Sequence, residues 1–216
     1  MKKTSEVEIR SLTPAELGSV AQVHLAAFPD SALTALGVES VRRYYEWLLS
    51  GPHESLTIGA WCEGEFAGFC FAGVFRGAMS GFLSRNRHYL AWRVLTHPWL
   101  MFNPLFRDRL INGLNIYRRF RSQPPSSQSS AQSSAHASQR RFGILAIAVN
   151  PQIQGFGVGK KLMLFSENTA RERGFNLMQL SVNPQNSQAI GFYESLGWRK
   201  SEREEIWKGE MLKTLQ

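Results

Sequence analysis

Residues 149–162, VNPQIQGFGVGKKL, place three glycines and two lysines in fourteen positions without an acid. Gln154, Gly157 and Gly159 form a Gln-x-x-Gly-x-Gly pattern after the apolar run ILAIAV and ahead of a helix-forming stretch. Glycines let the backbone approach a ligand closely, and N–H groups at a helix start lack intrahelical acceptors. The helix dipole favours negative charge at the same point. The chemistry suggested is therefore anion binding, above all phosphate, with Lys160 and Lys161 adding cations. The plain alternative is a glycine-rich turn with solvated lysines. Two phosphate loops with known patterns do not fit. A Walker loop needs glycine where Gln154 stands and serine or threonine where Lys161 stands, and the dinucleotide fingerprint needs glycine where Lys160 stands.

Positioning such a loop takes a strand before it and a helix after it. RRFGILAIAVN reads as a buried strand and GKKLMLFSENTARERG as the helix, followed by a strand in FNLMQLSVN and a helix in SQAIGFYESLG. Nearer the start, VEIRSL reads as a strand. Thr13, Pro14 and Glu16 then give a capping-box start to a helix with apolar positions Leu17, Val20, Val23 and Leu25. A polar turn leads to a second helix, VESVRRYYEWLLS. SLTIGAWC and FAGFCFAGVF flank a turn at Gly64 as an antiparallel hairpin. WRKSEREEIW and GEMLKTL read as a closing strand pair. Strands and helices alternate between antiparallel ends, so the expected fold is α/β. Its central sheet is mixed, mostly antiparallel, and flanked by helices.

At 216 residues and 43% hydrophobic, the chain suits a single domain. No apolar run is long enough to span a bilayer, and the first residues lack the apolar core of a signal peptide. Folding the hairpin at Gly64 sets Cys70 opposite a residue near Ile58, not opposite Cys62. Both cysteines are therefore expected to be reduced thiols, with no metal site and a cytoplasmic setting. The formal charge is +8, and residues 76–121 account for the excess, with nine arginines against one acid, Asp108. Two helices are expected between Gly81 and Phe120, broken near Pro98 and Pro104. Residues 122–139 lack large apolar side chains and are expected to form a disordered loop.

About thirty residues after the glycine loop stands NSQAIGFYESLGW, residues 186–198. The two stretches together resemble the GCN5-related N-acetyltransferase (GNAT) family, in its acetyl-CoA-binding loop and its Asn-x-x-Ala-x-x-Phe-Tyr-x-x-Leu-Gly-aromatic stretch. The close resemblance covers residues 140–198, and residues 7–75 fit the family only as a pattern of elements. It implies an acyl-CoA N-acyltransferase fold with an inserted helical pair, and transfer of acetyl from acetyl-CoA to a primary amine. It implies that the pyrophosphate of coenzyme A lies on the backbone of Gln154, Gly155, Phe156, Gly157, Val158, Gly159 and Lys160. The pantetheine arm would follow Ala148 and Val149, where the strand splays from its neighbour and a backbone N–H polarises the thioester carbonyl. Asn186 matches the asparagine that contacts the cofactor arm, and also suits a helix N-cap. Tyr193 matches the tyrosine that protonates the departing thiolate, with Phe192 and Leu196 as packing neighbours. Many members carry a glutamate on the strand before the loop as base, but this chain has no acid there. His24, Asp30 and Glu39 flank the turn that borders the acceptor site in the family, and none is singled out as base.

Residues 76–121 also carry eight aromatics, among them Trp92, Trp99 and Phe102. Arginine with aromatics suits an anion: a nucleotide-linked sugar, an anionic membrane surface contacted peripherally, or nucleic acid. No nucleic-acid reading motif appears. The expected partner is a small-molecule amine that is itself anionic or membrane-associated, such as an activated amino sugar. The rival readings are a catalytically silent coenzyme A-binding module and an interaction protein built on the arginine-rich helices.

Overall fold

The computed structural model describes residues 6–96, 140–202 and 206–215. β1 (Val7–Ser11) runs into the Thr13 cap, where the Thr13 hydroxyl oxygen accepts from Ala15 N–H and the Glu16 carboxylate accepts from Thr13 N–H at 2.8 Å. One 3-10 turn then leads into α1 (Leu17–Ala27). Leu17, Val20 and Val23 are buried as the spacing predicts, with Ala21 and His24 beside them, while Leu25 lies only at the margin. A short α2 (Ala32–Ala35) occupies the polar turn before α3 (Val38–Ser50). α3 buries Val41, Tyr44, Tyr45 and Leu48, the stripe expected of an amphipathic helix.

β2 (Glu54–Cys62) and β3 (Glu65–Val74) form the predicted hairpin. Ile58 stands opposite Cys70, and both cysteines are free thiols. α4 (Ala78–Arg85) and α5 (Arg87–Thr96) follow. The two helices part ahead of the prolines, at Asn86, which the sequence does not mark as a break. Its backbone N–H and its side-chain amide both donate to Phe82 O at 3.0 Å, and this ends α4. The proline junction, residues 97–121 and the low-complexity stretch 122–139 lie outside the described residues.

The second half contributes β4 (Phe142–Val149), α6 (Val158–Glu172), β5 (Leu177–Ser181), α7 (Ser187–Ser195), β6 (Arg199–Lys200) and β7 (Glu210–Thr214). Among the described residues, seven strands form one sheet in the order β1-β2-β3-β4-β5-β7-β6, with β4–β5 the one parallel pair. Alternation along β3 sends Phe69 and Phe71 to one face and Cys70 and Ala72 to the other. The first face is covered by α1 and α3, and the second by α6 through Leu162, Met163 and Ala170. Both faces of the central strands are dry, so the place where a ligand can reach backbone is an interruption in the sheet.

Candidate active site

That interruption lies in β4. The strand pairs with β5 only through Phe142, Gly143 and Ile144, so residues 145–149 have no partner on that side among the described residues. The cause is local. The register with β3 shifts so that Ala72 faces Ile144 while Phe71 faces Ala146, leaving Leu145 as an extra residue. Such a bulge bends its strand and increases its twist. β4 therefore parts from β5 from Leu145 onward. Asn150 N–H donates to Ala67 O at 2.8 Å on the β3 side. Successive N–H groups of an extended strand point to opposite edges, so Val149 N–H faces the open edge.

The glycine loop closes the end of this opening. Asn150 Oδ1 accepts from Gln152 N–H at 3.1 Å and starts a 3-10 turn, and Gln154 Nε2 donates back to Val149 O at 3.3 Å. Gly155 and Gly157 have φ of +86° and +80°, the left-handed region where a side chain is strained. Gly157 caps α6 without a side-chain hydrogen bond, so the first N–H groups of this fifteen-residue helix remain for a ligand. A β-carbon on Gly159 would sit 3.5 Å from Phe192 and 3.6 Å from Val149, in ordinary contact with both.

Loop, strand and α7 together enclose a cleft of about 600 Å³. Ala148, Val149, Gln154, Gly155, Gly157, Val158, Gly159, Lys160, Asn186 and Tyr193 all line it. Phe156 does not. With left-handed glycines on both sides of it, its ring stands 49% exposed, outside the lining. Asn186 caps α7, its side chain accepting from Ala189 N–H at 2.9 Å. Ala27 and Phe28 form a wall that no motif in the sequence pointed to.

The Tyr193 hydroxyl has no protein hydrogen-bond partner among the described residues, and its ring packs on Phe192 and Trp198. Burial, with a smaller contribution from the nearby Cys70, pushes the phenol up to about 12. A free thiol titrates near 8.5. The phenol is thus a weaker acid than an even match to a thiol requires, and it holds its proton throughout the physiological range. α7 is tied down from behind. Lys213 Nζ donates to both oxygens of buried Glu167 at 2.7 Å and to Leu196 O at 2.5 Å, joining β7 to α6 and to the end of α7.

The three flanking candidates for a base fare differently. Glu39 is held by Arg42 first and by Arg43, and its carboxyl falls to about 2. His24 is buried, with Tyr45 on one ring nitrogen and Ser31 on the other, and burial lowers it to about 4. Both are engaged elsewhere. Asp30 is exposed on the turn. Among the described residues no group of three or more His, Cys, Asp or Glu could hold a metal.

An antiparallel sheet that splits beside one parallel pair, above a glycine-capped helix, is the architecture of an acyl-CoA N-acyltransferase fold. Comparison bears this out. Residues 111–198 match the model of the Acetyltransferase (GNAT) family. The PaiA N-acetyltransferase of Thermoplasma acidophilum, solved in complex with coenzyme A, superposes with a TM-score of 0.57 at 14% identity, covering 97% of this chain and 99% of that one. In sequence, a mycothiol acetyltransferase of Acidothermus cellulolyticus is 35% identical over 75 residues, which is 35% of this chain and 23% of that relative. The peptidyl-lysine N-acetyltransferase YjaB of Escherichia coli is 34% identical over 61 residues, 28% of this chain and 38% of its own length. The matches thus span well under half of either relative. The described fold is thus that of the N-acetyltransferase structures, and residues 111–198 are similar to the GNAT family.

Proposed function

We infer that the protein transfers an acetyl group from acetyl-CoA to a primary amine. The observation that carries this reading is the convergence of three donors on one cleft: the first-turn N–H groups of α6, the Val149 N–H on the open edge of β4, and the Tyr193 phenol. Backbone donors at a helix start suit a pyrophosphate, and an unpaired strand edge suits the amide-bearing pantetheine arm. Bound there, acetyl-CoA supplies an activated thioester. In this reading Val149 N–H donates to the carbonyl oxygen as negative charge grows on it. The carbon–sulfur bond breaks as the carbon–nitrogen bond forms; the amine gives up one proton to water and the departing thiolate takes one up, so the products are the amide and the free thiol. Tyr193 donates a hydrogen bond to the departing sulfur, and its proton, bound up to about pH 12, is present at every working pH. Gln154 and Asn186 keep their loop and helix starts in shape through the bonds described above.

We propose further that the acceptor is small and either anionic or associated with an anionic membrane, as an activated amino sugar would be. The two relatives carry different acceptors in their names, mycothiol and peptidyl-lysine, so neither name decides the matter. The support is charge and exposure. Residues 76–96 hold four arginines and no acid. On α5, Trp92 is 59% and Leu95 is 80% exposed on the outward side, while Tyr89, Leu90 and Val94 pack inward toward α3 and Leu36. No described helix is long and apolar enough to cross a membrane. The testing experiment is thiol release from acetyl-CoA over a panel of amino sugars, nucleotide-linked amino sugars, amino acids, polyamines and basic peptides, with and without anionic vesicles. Tyr193→Phe runs alongside. Release with one acceptor class, lost in the variant, is the expected result. Tight coenzyme A binding without release from any acceptor would instead mark a binding module.

A further inference from the structure

The wall formed by Ala27 and Phe28 is held by a chain of hydrogen bonds whose direction can be worked out by elimination. Thr34 has a single hydroxyl hydrogen, and it goes to Phe28 O at 2.7 Å. The Thr34 oxygen must then accept from the Ser31 hydroxyl, 2.9 Å away. With its own hydrogen spent, Ser31 Oγ acts as an acceptor, for Thr34 N–H at 3.0 Å and for His24 Nε2 at 3.3 Å. His24 therefore carries its proton on Nε2 and offers the Nδ1 lone pair to Tyr45, whose hydroxyl lies 2.8 Å away. Tyr45 is completely buried among Phe69, Phe71 and Tyr44, so its hydroxyl needs that acceptor. Every hydrogen in the run from Tyr45 to the Phe28 carbonyl is assigned, and all donate in one direction.

This chain does more than fill a core. It starts on α3, crosses α1 and ends on the residue that lines the cleft. Phe28 is gripped twice, its carbonyl by Thr34 and by Ser31 N–H at 3.1 Å, its ring by the His24 ring at a centroid distance of 4.9 Å. Phe28 shares the cleft with Val149 and Tyr193, so its placement bounds the space beside the reacting carbon. Building on the acetyl-transfer reading, we propose that His24 is a positioning residue. Through Ser31 and Thr34 it fixes Phe28 as the acceptor-side wall and thereby sets which amines fit. The role requires the neutral imidazole, one donor and one acceptor, and burial favours that form.

The test uses the full chain with His24→Leu, which keeps bulk and removes both polar atoms, and His24→Gln, which keeps one donor and one acceptor. Hydrogen exchange at the amides of residues 28–36 is expected to quicken about tenfold in His24→Leu and to return to within about threefold of the parent in His24→Gln. Amides of β3 and α6 should keep their rates, and coenzyme A affinity by calorimetry should stay within about twofold in both variants. Uniform acceleration across the chain, or no acceleration at 28–36, overturns the proposal. So does a His24→Gln variant indistinguishable from His24→Leu. In the parent, nitrogen-15 spectra at neutral pH should show a neutral ring with its proton on Nε2, and a proton on Nδ1 also overturns it. With glucosamine 1-phosphate as acceptor probe, KM should rise about tenfold in His24→Leu with kcat within about twofold. If the parent does not turn this amine over, that acceptor class fails, while the exchange rates still decide the role of His24.

Discussion

The two ends of the cleft are built from different materials. At the loop end, the groups bordering the cleft are backbone N–H groups of α6 and β4, presented by glycines and a bulge. At the wall end, the shape rests on side chains from α1, α2 and α3 joined in sequence, with backbone as the final acceptor. Backbone donors survive almost any change of side chain, provided the glycines remain. A side-chain relay fails if any one member changes. On the proposed reading, the loop end would therefore tolerate side-chain substitution better than the wall end.

The sharpest way to break the comparison is to strike the scaffold behind the loop end. Glu167 is 1% exposed and has Lys213 as its ion-pair partner. Lys213→Met would leave a buried carboxylate unpaired, and breaking such a pair costs about 3–5 kcal/mol. Denaturant unfolding of the variant should show a loss of that size, and thiol release should fall because Leu196 O and the end of α7 lose their anchor. Glu167→Gln, which keeps hydrogen-bonding atoms without the charge, should cost less. Loss of stability with Tyr193-dependent activity intact would separate α7 from this ion pair.

Acid should act on the opposite end. His24 titrates near 6.5 when unfolded and near 4 when folded, so the unfolded chain binds more protons between those values. Stability from this group is fully present above pH 6.5 and is lost as pH falls toward 4, to a total of about 3 kcal/mol. Tyr45, Ser31 and the Phe28 ring face the imidazole, and among the described residues no acid is hydrogen-bonded to it to compensate for the charge. Glu39, held to about 2, contributes its loss below this window. Exchange at residues 28–36 should therefore quicken between pH 6.5 and 4.5 before coenzyme A binding weakens. The reverse order would place the acid-sensitive element in the loop.

Tyr193→Phe tests whether the two ends meet in one reaction. Removing a proton donor in hydrogen-bond reach of the leaving atom typically costs 10²–10⁴ in rate. With the phenol at about 12 acting as a hydrogen-bond donor, the expected loss in kcat is at the lower limit, about a hundredfold, with KM for acetyl-CoA little changed. A matching loss in coenzyme A affinity would recast Tyr193 as part of the binding surface.

The same contrast governs what the sequence makes legible. Gln154, Gly157, Gly159 and Tyr193 are legible because they lie within two short stretches whose order and spacing are visible in one dimension. The sheet is legible from alternation, down to Ile58 facing Cys70. Phe28 is not, because nothing in AAFPD marks a residue held by a tyrosine seventeen positions later through a histidine and a serine. The Lys213–Glu167 pair spans 46 positions and closes only when β7 reaches α6. The break at Asn86 escapes a reading by residue type because prolines announce themselves and an asparagine folding back on its own helix does not.

The smallest expected effect probes the backbone end alone. Gly157 sits at φ +80°, and a β-carbon added there would have nothing within 4 Å, so alanine meets no neighbour. The whole cost is conformational, about 1–2 kcal/mol for a left-handed L-residue. If the loop presents its donors through that conformation, part of the cost should appear as weaker coenzyme A binding, a loss of about threefold to tenfold by calorimetry. Exchange at residues 28–36 should not change, because no hydrogen bond of the His24 chain touches the loop. A Gly157→Ala variant that loses stability but binds coenzyme A unchanged would mean that the glycine serves folding only. The anion site would then rest on N–H groups deeper in the first turn of α6, where Gly159 becomes the position to substitute next.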